Sequence, residues 1–163
     1  MRHDLQLQVN SGRFRSAVYL AQRLVDFRPD SENLFWLAEA YRTLGPRAPQ
    51  LTEKELTNSA KKDAAKKQEK RTNEELEREI LATPAGQENW KANQQKSETL
   101  YKQSLAAENP VASAHRGLGM LYEKLDKKTD AIAEYEKYLE IAPATTDHDR
   151  IQRRIENLRR TPQ

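Results

Sequence analysis

The 163-residue chain contains no cysteine, which excludes a disulfide frame, a thiolate nucleophile and a thiolate zinc site, and is compatible with any compartment. No apolar run approaches the roughly 20 residues of a membrane-spanning helix. The start, MRHDLQLQVNSG, is too polar for an export signal. Neither charge sign forms a block: 28 basic and 25 acidic residues interleave to a net charge of +3. A nucleic-acid or membrane partner would ask for a clustered basic face, so neither is expected. An apolar share of 36% against 33% charged is lean for a compact globule and suits a thin, elongated domain.

Catalytic patterns are missing as well. There is no glycine-rich phosphate loop, no Gly-x-Ser-x-Gly turn and no His-Glu-x-x-His pair, and His3, His115 and His148 lie far apart with no second ligand at helical spacing. The expectation is a protein that is not an enzyme and uses no cofactor or metal. His115 is read as a packed core histidine.

What the sequence does have is helical periodicity. In NPVASAHRGLGMLYEKLDKKTDAIAEYEKYLEIAP, Leu118, Leu121, Tyr122 and Leu125 share one stripe, and Ala131, Ile132, Tyr135, Tyr138 and Leu139 share another. Pro110 and Pro143 bracket the pair, and the polar stretch Asp126 to Thr129 separates the halves, which predicts a helical hairpin. Nearer the start, Ala17, Leu20, Ala21 and Leu24 form a stripe ended by Pro29, and Leu34, Leu37, Ala38, Tyr41 and Leu44 form one ended by Gly45. LAEAYRTLG aligns with LGMLYEKLD, matching Leu37, Ala38, Tyr41 and Leu44 to Leu118, Gly119, Tyr122 and Leu125. Small residues at Ala38, Gly119, Ala17 and Ala131 predict the closest approach of paired helices.

The order Leu118, Gly119, Tyr122, Ala131, Tyr135 and Pro143 resembles the tetratricopeptide repeat of about 34 residues. The resemblance implies an all-α fold of helical hairpins in a right-handed stack, one domain over residues 1–163. Residues 1–29 are then a partial first repeat, cut into from a longer array. Residues 30–110 are a second repeat, 111–143 a third, and 146–160 a capping helix with Ile151, Ile155 and Leu158 as its apolar stripe. His115 and Leu34 depart from the aromatic that the pattern expects, and Tyr138 stands where it expects a small residue, so a wider spacing or rotation is expected around that ring.

From Leu37 to Leu118 is 81 residues, roughly 47 more than one repeat of about 34. The excess is placed at about residues 46–95 as a charged helical insertion. Thr52 with Glu55, and Thr72 with Glu75, fit capping boxes, and Pro84 after Thr83 marks a further helix start. The second helix of this repeat is expected to extend two or three turns N-terminal to Lys96, with Trp90 on the face of Ser97 and Tyr101. The insertion is either a solvated protrusion or an arm that meets a partner through Leu76, Ile80, Leu81 and Trp90.

In the tetratricopeptide family the first helix of each repeat lines a concave groove. The resemblance carries partner contacts onto Glu32, Phe35, Glu39, Arg42 and Thr43 in the second repeat, and onto Ser113, Arg116, Met120, Glu123 and Lys124 in the third. Phe35 and Met120 among mixed charges suit an extended peptide or a helix with one or two apolar anchors. The family's clamp for chaperone tails is not expected, because Phe35, Trp36 and Glu39 occupy its small or amide positions.

The implied function is a non-catalytic interaction module for another protein. The stretch from Arg28 to Leu158 is also loosely similar to the C-terminal repeat region of bacterial zincin-type metallopeptidases, which implies an accessory role in recruiting substrate, in the cell envelope. A homo-oligomeric scaffold is the third expectation, from the exposed ends of a short stack. Localisation is left between cytoplasmic and periplasmic.

Overall fold

The computed structural model describes Leu5, Gln8, residues 11–49 and residues 72–160. Among these residues every regular element is helical: α1 (Phe14–Phe27), α2 (Ser31–Leu44), α3 (Asn73–Leu81), α4 (Pro84–Ala106), α5 (Ser113–Lys124), α6 (Lys128–Ile141) and α7 (His148–Arg160). None is long and apolar enough to cross a membrane. The breaks fall where punctuation places them. Pro29 follows the end of α1, Gly45 caps α2 at φ 63°, and Pro143 follows the end of α6.

Packing runs in chain order, α1 on α2, α2 on α4, α4 on α5, α5 on α6 and α6 on α7. The α2–α4 pair is the most extensive, although the insertion separates its two helices in sequence. Its contacts come from the periodic stripes: Leu37, Ala38, Ala40 and Leu44 of α2 are buried with Leu100 and Tyr101 of α4. Ser97 and Ser104 of α4 are buried too, and their hydroxyls donate to the Ala38 and Ser31 carbonyls at 2.9 and 2.7 Å. Serine is small enough for the close approach and satisfies its own hydroxyl on the partner helix.

In the second hairpin Gly119 lies against the buried Tyr135 ring, where an added Cβ would be 2.5 Å from ring carbons. Gly117, half a turn earlier, faces the Tyr101 ring of the neighbouring hairpin in the same way. The two glycines let α5 take a tyrosine on each side.

The insertion folds back at its C-terminal end. Thr72 and Glu75 form the expected capping box, with Glu75 N donating to Thr72 Oγ1 at 3.2 Å and Thr72 N donating to Glu75 Oε2 at 2.9 Å. Thr83 caps α4 with Pro84 in its first turn, which extends that helix well N-terminal to Lys96. Helix α3 packs on α4, leaving Leu76, Ile80, Leu81 and Trp90 half-buried. Asn93 Nδ2 donates to the carbonyls of Gly45 and Arg47, both at 2.8 Å, which joins the two ends of the insertion. Glu77 lies 3.8 Å from Arg47 and 3.7 Å from Lys124. Over residues 72–95 the insertion therefore packs back on α4 and the end of α2, although no residue of α3 is buried. The expected capping box at Thr52 and Glu55 lies outside the described residues.

Tyr138 takes its unexpected place for a reason the structure supplies. Its buried hydroxyl donates to Asp147 Oδ1 at 2.9 Å and lies 2.9 Å from Thr145 Oγ1, fastening the connection to α7. Asp147 also accepts from Thr145, Arg116 and Arg150 at 2.7, 2.8 and 3.1 Å. Burial would raise its carboxyl, but the hydrogen bonds from Thr145, Arg116 and Tyr138 and the Arg116 charge outweigh it, holding the group well below the ordinary carboxylate range.

A depressed carboxylate adds stability above its unfolded pKa and loses it as pH falls toward the folded value. Asp147→Asn is accordingly expected to cost about 1–3 kcal/mol at neutral pH. The gap to the parent should close as pH falls below about 4. Urea melts at pH 7 and 3 check this; a gap unchanged between them contradicts it.

Candidate functional site

Helices α2 and α5 touch, and the side chains between them are largely engaged with the domain itself. Arg42 donates to Glu39 Oε2 at 2.6 Å and to the Tyr101 hydroxyl at 3.2 Å, and that hydroxyl donates to Glu39 Oε1. Burial would raise the Glu39 carboxyl, but the Arg42 charge and hydrogen bond and the Tyr101 hydroxyl outweigh it and lower it below its ordinary value. Tyr101, fully buried beside this carboxylate, is pushed well above the usual phenol range.

The α5–α6 pair has the same device one turn along. The Tyr135 hydroxyl donates to Glu123 Oε2 at 2.7 Å, and Arg154 of α7 donates to the same oxygen at 2.6 Å. Burial, followed by the bond to Glu123, raises Tyr135 in turn. Arg116 points to Asp147 and lies over the Tyr138 ring at 5.7 Å. His115 Nδ1 is 2.7 Å from Glu134 across the α5–α6 hairpin, so the residue expected to be a core histidine is instead half-buried and held by a carboxylate.

The ten expected partner contacts therefore divide. Phe35 is corrected outright: it is not an outward anchor but a core residue, 5% exposed, with its ring centroid 5.3 Å from Trp36 and 6.1 Å from Tyr101. Tyr101 reaches between α2 and α5 because Gly117 opposite has no side chain, and Phe35 packs on the ring that fills the space. Glu39, Arg42, Arg116 and Glu123 are present on this face but held in internal bonds. Thr43 donates its hydroxyl back to the Glu39 carbonyl at 2.8 Å. Glu32, Ser113 and Met120 are half-buried, and Lys124 is exposed. Among the described residues no group of His, Asp and Glu is placed to hold a metal ion.

The roomier concavity lies elsewhere. A cleft of about 900 Å³ between α1 and the C-terminal part of α2 is lined by Arg13, Arg15, Val18, Tyr19, Leu20 and Tyr41 among others. Tyr19 is 62% exposed there. A second cleft of about 500 Å³, where the α1–α2 and α4–α5 turns meet, is lined by Asp30, Glu32 and Glu108 together with Arg28, which pairs with Asp30 at 3.1 Å. In the sequence Tyr41 belongs to the apolar stripe of α2 and gives no sign of this first cleft. The available signal was Tyr19, an aromatic lying off the stripe of Ala17, Leu20, Ala21 and Leu24.

No family model, no curated protein and no solved structure matches the chain.

Proposed function

We propose that the chain is a non-catalytic interaction module of tetratricopeptide-like hairpins in a right-handed stack, and that it binds a peptide or protein segment. The observation that carries this is the equivalence of two helix pairs, α2–α4 and α5–α6. Ala38 and Gly119 sit at matched positions of α2 and α5, and Ser97 and Ala131 at matched positions of α4 and α6, each four residues before the buried tyrosine, all four fully buried or nearly so. One turn on, Tyr101 and Tyr135 are both fully buried, and each sends its hydroxyl to a first-helix carboxylate, Glu39 or Glu123. A unit repeated at that level of detail packs against its neighbours and leaves margins and end surfaces for a partner.

Selection of a random-peptide display library on the immobilised full chain tests this. The expected result is a consensus whose synthetic peptide binds the chain and is competed by its unlabelled form. Failure to enrich any sequence beyond an unrelated helical protein would contradict it.

A further inference from the structure

We infer that α3 is a strap that opens and closes as a unit on the folded domain, and that the pairing of its Glu77 with the buried Arg47 sets the balance between the two states. Helix α3 is nine residues long with none of them buried, and it packs on α4 while its apolar Leu76, Ile80 and Leu81 stay half-buried. A helix this short is not stable alone in water, where about 12–15 residues are marginal, so its docking decides whether it forms. Its polar face meets the turns that begin α1 and end α2. Asn73 and Glu77, one turn apart, lie against Gly12 and Gly45: a Cβ on Gly12 would be 3.2 Å from Asn73 Nδ2, and one on Gly45 would collide with the Glu77 carboxylate. Both glycines hold positive φ, 72° and 63°, and neither turn carries a side chain that would keep α3 away.

Charge supplies the latch. Arg47 is 8% exposed, and its guanidinium lies 4.7 Å over the Phe14 ring. Nη1 donates to the Leu44 carbonyl at 3.1 Å, and the buried Nη2 has no hydrogen-bond partner. Among the described residues the carboxylate within ion-pair distance of Arg47 is that of Glu77, at 3.8 Å. Burial weakens the hold of this guanidinium on its proton, and the Glu77 charge opposes that change. When α3 lifts away, a buried cation loses its counter-charge, a larger penalty than parting Glu77 from the exposed Lys124 at 3.7 Å. Opening frees Leu76, Ile80 and Leu81 together with the α4 surface beneath α3, apolar area that the closed state keeps partly covered.

Native-state amide exchange of the full chain, followed residue by residue, tests this. In the parent the amides of Leu76 to Leu81 are expected to exchange ahead of those of α5 and α6, as a unit that opens without global unfolding. Glu77→Gln should speed the α3 amides a further roughly tenfold and leave α5 and α6 at their parent rates. Lys124→Met, which removes only the exposed pair, should change α3 by less than about twofold. On an Arg47→Met background, where no buried cation needs a counter-charge, the effect of Glu77→Gln should shrink to about twofold or less. Exchange of α3 at the rate of α6 in the parent, or acceleration of every helix alike by Glu77→Gln, would overturn the strap. An α3 rate unchanged by Glu77→Gln, or moved equally by Lys124→Met, would overturn Arg47 as its latch, as would a full Glu77→Gln effect on the Arg47→Met background.

Discussion

Replacing Tyr135 with alanine is expected to destabilise the domain by about 3–5 kcal/mol, the range for deleting a fully buried aromatic ring. The ring is 0% exposed, fills the space that Gly119 leaves on α5, and ends in a hydroxyl that binds Glu123. Alanine would leave a cavity between α5 and α6 and remove one of the two donors shown on Glu123 Oε2, leaving Arg154. Against a total stability of about 5–15 kcal/mol, this is a large fraction. Tyr135→Phe separates the two contributions, since it keeps the ring and loses the hydrogen bond, for about 1–2 kcal/mol. Urea denaturation followed by circular dichroism measures both. A Tyr135→Ala loss no larger than that of Tyr135→Phe would mean that the ring does not support the hairpin.

Gly119→Leu is expected to be comparably damaging, although it replaces the poorer helix former with a better one. The intrinsic preference favours leucine by about 1 kcal/mol. The contact opposes it, because the first added carbon would already lie 2.5 Å from Tyr135 Cδ1 and Cε1. Tyr135 is fully buried and cannot swing into solvent, so the helices must separate. Overpacking of this kind costs about 1–3 kcal/mol and occasionally more. A net loss of about 2 kcal/mol is the expected reading. The cause is checked by a cycle of Gly119→Ala and Tyr135→Leu, singly and together, with the smaller ring-free side chain relieving the clash by about 0.5–3 kcal/mol. Additive effects, or a stabilised Gly119→Leu, would contradict the close approach.

Most of the helical frame was legible because its signals are local. Proline, glycine and capping residues sit within a few positions of the helix ends they mark, as at Pro29, Gly45, Thr72 and Pro84. The equivalence of α2 with α5 could be read by aligning two nine-residue stretches. The expected length of α4 followed from Pro84 and from Ser97 and Tyr101 at helical spacing.

The site was legible only in part, because it depends on contacts across the insertion. Whether Phe35 faces out is decided by Tyr101, 66 residues further on, and by the absence of a side chain at Gly117. The Glu39–Arg42 pair is local, three residues apart on α2, but its bonds to Tyr101 of α4, and the pairs of Arg116 with Asp147 and of Glu123 with Arg154 of α7, join segments that no local pattern brings together. In sequence Tyr138 is a departure from the repeat pattern. Its role in holding the α6–α7 connection required knowing where Asp147 and Thr145 lie.

The central claim, that the two equivalent helix pairs form a module that binds a peptide or protein segment, is tested most directly by amide chemical-shift mapping of the full chain titrated with the selected peptide. The predicted result is a saturable set of perturbed amides that forms one continuous surface of the helix stack. Scattered perturbations, or no saturable shift at all, would contradict it.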